Sequence, residues 1–147
     1  MSKLLSRLVA VSLLFLGVRP ALAQDSVPYT EGDVVNVSAD RTEPGQFNAY
    51  MRYLAGPYRQ IMDEARNQGL IKSYEFYSAQ PRTPHDADLY LVTVYPNFAA
   101  FDGLSDKMDA ISNKVFGSMS AAETAEVDRE KLHKLLGSEL LRELKLK

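Results

Sequence analysis

The chain has 147 residues, of which 46% are hydrophobic and 24% are charged, and its formal net charge is -2 at pH 7. It contains no cysteine, which excludes disulfides, thiolate nucleophiles, cysteine-ligated zinc and iron–sulfur clusters. Outside its last few residues it has no basic cluster of the kind that binds phosphates, so nucleic acid is not expected as a partner.

The first 23 residues have the layout of a secretory signal peptide. Lys3 and Arg7 precede an apolar run at residues 8–18, and the segment ends in Ala21-Leu22-Ala23. The run makes a helix of roughly 16 Å, which is too short to cross about 30 Å of hydrocarbon. We expect cleavage between Ala23 and Gln24, a mature protein in the periplasm or secreted, and no membrane span after processing. A permanent N-terminal anchor is the alternative.

Cleavage would leave 124 residues, which is enough for one domain with its own hydrophobic core. Because three basic residues leave with the signal peptide, 14 basic residues would remain against 19 acidic ones. We expect residues 24–32 to form an extended leader and residues 33–147 to form the folded domain.

The first part of this domain predicts a strand followed by a long helix. Residues 33–39, with the sequence DVVNVSA, alternate in polarity as a strand does. From Phe47 to Ala65 the apolar residues recur at helical spacing, and Gly69 would end the helix. Gly56-Pro57 interrupts this segment, and we expect a kink there because the proline ring clashes with the carbonyl four residues earlier and lacks an N–H.

The middle of the chain predicts a β-hairpin with a long loop. Residues 70–79 (LIKSYEFYSA) and 88–95 (DLYLVTVY) have strand-like composition, and the sequence QPRTPHDA joins them. A helix should then begin after Asn97, which is a good N-cap, and continue to Gly117.

The last part predicts another helix and a final strand. Ser120 and Glu123 form a capping box for a helix that we expect to end at Gly137. Residues 139–147, ELLRELKLK, then alternate in polarity as a strand. The order β-α-β-β-α-α-β predicts an α+β domain of the ferredoxin-like split βαβ type, in which a four-stranded antiparallel sheet carries its helices on one face.

The second face of such a sheet must meet water, a ligand or another chain. We expect it to carry the less apolar strand positions, which are Asn36, Ser38, Ser73, Glu75 and Tyr77 together with Val34, Ile71, Leu89 and Leu91. This mixture is too apolar for a solvated surface and too polar for a closed core, so it predicts a partner subunit or a cavity.

Through the segments DADLYLVTVYPNFAAFDGL and VDREKLHKLLGSELLREL, the chain resembles the dimeric α+β barrel group and uncharacterised exported bacterial proteins of that build. The resemblance covers roughly residues 34–147 and implies a homodimer in which two ferredoxin-like subunits pack their open sheet faces together. The group includes haem-degrading and quinone-forming oxygenases and haem peroxidases. The chain departs from those enzymes because it has no tryptophan and only two histidines, and fold analogy alone does not supply an activity.

The two histidines are candidates for chemistry. His133, in REKLHKLL, is expected on a solvent-facing helix surface near Arg129, and a role as haem ligand or general base is the alternative. His85, in TPHDAD, lies near Asp86 and Asp88, which could offer oxygen ligands to a divalent cation. Turn formation explains the latter sequence more simply, so no metal site is predicted.

Arg142 shares its strand register with leucines, where a guanidinium usually pairs with a carboxylate such as Glu75 or binds an anionic ligand. A simple edge-strand position is the alternative.

The tyrosines, which include Tyr50 and Tyr53, could line an aromatic pocket. The candidate ligand-binding residues are Glu75, Tyr77, Tyr74, Tyr90 and Arg142, and no catalytic residue is assigned.

These observations favour a non-catalytic exported protein that homodimerises through its sheet and holds a small apolar or aromatic ligand. The first alternative is a haem-binding or cofactor-free oxygenase, and the second is an envelope protein that binds another protein through its sheet edge or its kinked helix. The sequence has no serine-triad setting, phosphate loop or zinc-protease motif, and it requires no cofactor.

Overall fold

The computed structural model of the protein describes residues 27–147. The predicted signal peptide and its cleavage point lie outside the described residues. The described part is an α+β domain with a four-stranded antiparallel sheet and helices, as predicted. None of its helices is long and apolar enough to cross a membrane.

The elements follow one another as a strand, a kinked helix, two strands, two helices and a strand. Their bounds are β1 Tyr29–Thr42, α1 Phe47–Tyr53, α2 Arg59–Asn67, β2 Ser73–Ser78, β3 Leu89–Tyr95, α3 Leu104–Phe116, α4 Met119–Glu130 and β4 His133–Leu146. A π-helical segment, Leu54–Tyr58, joins α1 to α2, and a 3-10 turn, Phe98–Phe101, precedes α3.

The strands lie in the order β2-β3-β1-β4, and every neighbouring pair is antiparallel. In the central register Val37 of β1 is opposite Val92 of β3 on one side and Glu139 of β4 on the other. This arrangement is compatible with the predicted ferredoxin-like build.

The helices pack on the sheet face that carries Leu89 and Leu91 of β3. These leucines form one core cluster with Tyr50 and Leu54, while α2, α3 and the segment before β2 form a second cluster around Ile61, Met62, Ala65, Ile71 and Ile111. Both clusters bury aliphatic and aromatic side chains, which is the main favourable contribution to folding.

The residues of β1 and β3 on the open face of the sheet are not the ones that were predicted there. Val34, Leu89 and Leu91 are buried beneath the helices, and Asn36 and Ser38 lie on that same covered side. The open face instead carries the half-buried Val35, Val37, Val92 and Val94, beside Glu75 and Tyr77 of β2. The alternation was predicted correctly, but both registers of β1 and β3 contain apolar residues, so polarity did not show which side the helices cover.

The kink predicted at Gly56-Pro57 is confirmed. The backbone of Gly56 leaves helical geometry, with φ -100° and ψ -109°, inside the π-helical segment. Proline fits there because it needs no backbone hydrogen-bond donor. As a consequence Tyr53 and Tyr58, one on each side of the break, both face the space between the helices and the sheet.

Several predicted boundaries are corrected. Strand β1 begins at Tyr29, inside the segment expected to be a leader. Asn97 caps the 3-10 turn by accepting from the Ala100 amide, and Ser118, not Ser120, caps α4. The helix expected to end at Gly137 ends at Glu130 because pairing of His133 with Thr42 already begins β4. The longer β1–β4 ladder outweighs the local helix-ending signal.

Candidate functional site

A cavity of about 530 Å³ lies between the sheet and helices α2, α3 and α4. Its floor consists of side chains from the covered face of β1 and β3, among them Asn36, Ser38 and Thr93. Sites for small molecules usually fall between about 300 and 1,000 Å³. The cavity therefore has the size of a small-molecule site.

The lining of this cavity combines apolar walls with a polar floor and rim. The walls come mainly from aromatic, sulfur-containing and aliphatic side chains, namely Tyr53, Tyr58, Ile61, Met62, Ile71, Leu91, Tyr95, Met108, Phe116 and Met119. Polar groups of α3 and α4, which include Ser112, Asn113, Glu123 and Glu126, also contribute. An apolar body with a few directed polar groups is the usual composition of a ligand pocket.

A second cavity of about 410 Å³ adjoins the first. The two share Ser38, Tyr58, Leu91 and Arg129, so these residues mark the junction between them. The second cavity continues along the covered face of β1 toward the end of the sheet where β4 begins.

Three titratable side chains line the second cavity and contact one another. The Tyr50 hydroxyl donates a 2.6 Å hydrogen bond to Asp40 Oδ2, and His133 Nε2 lies 3.6 Å from the same oxygen. The rings of Tyr50 and His133 are stacked, with 4.2 Å between their centroids. Asp40 is only 2% exposed, so the cluster is a buried polar network, and such networks are stable only when their members are paired.

The position of the His133 ring determines which nitrogen can exchange a proton. His133 Nδ1 lies 3.1 Å from the backbone carbonyl oxygen of Arg129. Because a carbonyl oxygen only accepts, this contact places a proton on Nδ1, and in the neutral ring Nε2 is the basic nitrogen.

Burial raises the pKa of several tyrosines around the cavities. The pKa of Tyr50 is raised strongly, first by burial and then by its hydrogen bond to Asp40. Burial raises the pKa of Tyr58 to about 12, and burial also raises that of Tyr53. The positive charge of Arg129 opposes the rise at all three phenols. These hydroxyls are therefore neutral hydrogen-bonding groups at pH 7.

The predicted ligand-binding residues are divided between the two faces of the sheet. Glu75, Tyr77 and Tyr90 lie on the open face, where the Tyr77 hydroxyl donates a 2.8 Å bond to Glu75. Tyr90 is opposite Tyr77 and lines a smaller cavity of about 210 Å³ near the hairpin loop. On the covered side, the Tyr74 hydroxyl donates to Asp63 at 2.8 Å. The predicted ligand-binding residues therefore do not converge on one site.

Arg142 pairs with Glu31 and not with Glu75. Its Nη2 donates a 2.6 Å bond to Glu31 Oε2, and its guanidinium lies 5.0 Å from the centre of the Phe98 ring. Glu75 is out of reach because its side chain projects from the opposite face of the sheet. The predicted pairing of Arg142 with a carboxylate is right in kind, but the predicted partner is wrong.

The loop with His85 uses its carboxylates in local hydrogen bonds. Asp86 accepts from the amides of Arg82 and Thr83, and the hydrogen bonds from Thr83 are the main cause of its lowered pKa. Asp88 accepts from the amide and hydroxyl of Thr42 at 2.9 and 2.5 Å. These hydrogen bonds stabilise the turn and the end of the neighbouring strand. Across residues 27–147 no cluster of three or more histidine or acidic side chains could hold a metal ion.

The expectation for His133 is wrong. It was predicted on a solvent-facing helix, whereas it is buried at the first position of β4. Asp40 and Arg129, its neighbours at the cavities, were not among the predicted site residues. The position of Asp40 in the sequence could have indicated a site, because Asp40 lies on the same face of β1 as the buried Val34. A buried carboxylate needs a hydrogen-bonding or charged partner.

Comparison of the chain with models of known protein families, and with curated proteins, finds no match.

Proposed function

We propose that this chain is an exported homodimeric protein that binds a small aromatic or partly apolar molecule between its helices and its sheet. The cavity of about 530 Å³ is the observation that carries the proposal. Its walls offer aromatic rings and methionine thioethers, which pack well against flat apolar molecules. Its floor offers the hydroxyls and amide of Ser38, Thr93 and Asn36, which can orient polar substituents.

The dimer part of the proposal rests on the open sheet face. We propose that the sheet is a ferredoxin-like split βαβ sheet whose valines, Val35, Val37, Val92 and Val94, are covered by the same face of a second copy. Leu141, beside them on β4, is 47% exposed, and Tyr77 is 53% exposed. A two-fold interface brings the same patch of both subunits together, so one apolar face is enough to form it.

The positions of the histidines bear on the haem alternative. His85 lies in the exposed hairpin loop, away from both larger cavities. His133 reaches the second cavity, but its ring is stacked on Tyr50 and its basic nitrogen faces Asp40. A haem ligand needs a histidine nitrogen that faces the iron, so we do not extend the proposal to haem.

The ligand part can be tested with a neutral fluorescent probe. N-phenyl-1-naphthylamine, which is apolar and uncharged, should bind to the native protein with increased fluorescence. Ser112→Trp places a large ring in the cavity wall and should abolish binding, whereas Ser105→Trp, on an exposed part of the same helix, should not. Because the chain has no natural tryptophan, each variant also gives energy transfer from a single position.

Two results would contradict this proposal. The first is absence of probe binding to the folded wild-type protein, and the second is equal binding by the two tryptophan variants. Val37→Lys serves as a further control, because it changes the open sheet face and should leave probe binding in the cavity intact. The export part is tested separately by sequencing the secreted protein, whose N-terminus should be Gln24.

A further inference from the structure

We infer that the ligand of this cavity carries an oxyanion, such as a carboxylate, and that Arg129 binds it at the junction of the two cavities. This inference rests on the proposed ligand-binding function and adds the chemical class of the ligand. It assigns an anion-binding role to a residue that the sequence did not single out.

Arg129 has buried hydrogen-bonding capacity that nothing within residues 27–147 uses. It lies in the last turn of α4 and lines both cavities. Its Nε atom is buried and has no hydrogen-bond partner in the described part of the chain. A buried donor without an acceptor is unfavourable, so a site of this kind favours a ligand that supplies one.

The acidic side chain in contact with Arg129 neutralises it only weakly. Glu126, on the preceding turn of α4, lies 3.4 Å from Nη2 and its side chain is 65% exposed. The Arg129 side chain is 28% exposed, so water and salt reach this pair mainly from the side of Glu126 and weaken it. On the other side of the junction, Asp40 already accepts from Tyr50.

The surroundings of the guanidinium favour a planar, partly aromatic anion. The Arg129 guanidinium lies near the phenols of Tyr53 and Tyr58. Its positive charge lowers the pKa of both hydroxyls against the effect of burial, and a hydrogen bond with Arg129 adds to this lowering at Tyr53. A carboxylate can accept from Nε and a neighbouring Nη together, and the guanidinium fork matches that geometry. The ring of such a ligand would then lie along the apolar walls of the larger cavity.

Arg142 provides the contrasting case within the same chain. Its Nε and Nη1 atoms are also buried without partners in the described residues. However, its Nη2 makes a 2.6 Å bond with Glu31, and it lines none of the three cavities described above. Arg142 is therefore a matched control for the loss of a partly buried arginine away from the cavity.

Calorimetric titration with 2-naphthoate and 2-naphthamide, which have nearly the same shape, isolates the contribution of the charge. The wild-type protein should bind the carboxylate about tenfold or more tightly than the amide, since a charge-assisted pair is substantially stronger than a neutral hydrogen bond. Arg129→Gln should remove this preference and leave amide binding within about twofold. Arg142→Gln should retain it. Arg129→Lys, which keeps the charge but not the fork, should retain part of it.

Equal affinity of the wild-type protein for the two compounds would overturn the inference, while binding of the neutral fluorescent probe would still support the cavity. Loss of both compounds in a folded Arg129→Gln protein would also overturn it, because the arginine would then shape the cavity and not select charge. Circular dichroism and the unfolding midpoint establish that the variants are folded. If neither compound nor the neutral probe binds, the inference and the proposed function both fail.

Discussion

Tyr50 and Tyr77 show how burial changes the contribution of one hydrogen bond. Each donates its hydroxyl to a carboxylate, Tyr50 to Asp40 at 2.6 Å and Tyr77 to Glu75 at 2.8 Å. Tyr50 is 1% exposed and Tyr77 is 53% exposed. Water can replace the lost partner at an exposed site but not at a buried one.

Tyr50→Phe should therefore destabilise the protein by about 2 kcal/mol, because it leaves the buried Asp40 carboxylate without the hydrogen bond from the Tyr50 hydroxyl. Tyr77→Phe should leave the free energy of unfolding nearly unchanged, because water replaces the lost hydrogen bond to Glu75. Urea unfolding at pH 7, followed by circular dichroism, measures both values. Similar losses for the two variants would show that Asp40 does not depend on Tyr50 for its pairing.

The residues around the cavities were only partly predictable. Tyr50 and Tyr53 were among the tyrosines considered for an aromatic pocket, and they line the second and the first cavity respectively. Arg129 and His133 could not be assigned, since their directions depend on where α4 ends and β4 begins. A helix prolonged to Gly137 points His133 outward, whereas a strand that begins at His133 turns it onto Tyr50.

At the scale of elements, the long β1–β4 ladder contains two irregularities. One extra residue lies in β1 between Glu31 and Val34, and one lies in β4 opposite Ala39 and Asp40. Glycines occur at both places, Gly32 in β1 and Gly137 in β4. A β-bulge of this kind bends a strand and increases its twist.

The two glycines should respond differently to substitution by alanine. A Cβ at Gly32 would collide with the Glu143 carboxylate, which accepts from the Asp33 amide at 3.2 Å, whereas a Cβ at Gly137 meets nothing within 4 Å. Gly32→Ala should displace the Glu143 side chain and lose this exposed hydrogen bond, so it should be less stable than Gly137→Ala by about 0.5 kcal/mol. Chemical denaturation of the pair measures the difference, and equal stabilities would rule out the steric argument.

Local chemistry predicted the elements themselves well. The Gly56-Pro57 kink, the hairpin and the α+β class follow from backbone restrictions and apolar spacing, which act within a few residues. The junction of α4 and β4 does not, because it depends on pairing between Thr42 and His133 across a long sequence separation. Such tertiary pairing overrides local preferences.

At the scale of the whole molecule, the two sides of the sheet have separate roles in our proposals. The covered side holds the cavities and Arg129, and the open side carries the valines that a second copy would cover. Charged side chains of both signs, among them Glu139 and Lys145 on β4, are on the open side of the same sheet. Ligand binding and dimerisation can therefore be changed independently by mutation.

Sedimentation analysis of the mature protein tests the dimer. The wild-type protein should sediment as a dimer at micromolar concentration. Val37→Lys should raise the dissociation constant by about tenfold or more, because it removes apolar contact area and places a charged side chain, which Glu139 of the same subunit compensates only in part, inside the interface.

Val127→Lys is the matched control for this variant, because Val127 lies on α4 and is 56% exposed there, away from the open face. It should leave the association unchanged. A wild-type monomer at these concentrations would contradict the dimer, and so would a dimer that Val37→Lys does not weaken. If Val127→Lys alone dissociates the subunits, the contact between them uses the helices, and the valine face remains open to solvent.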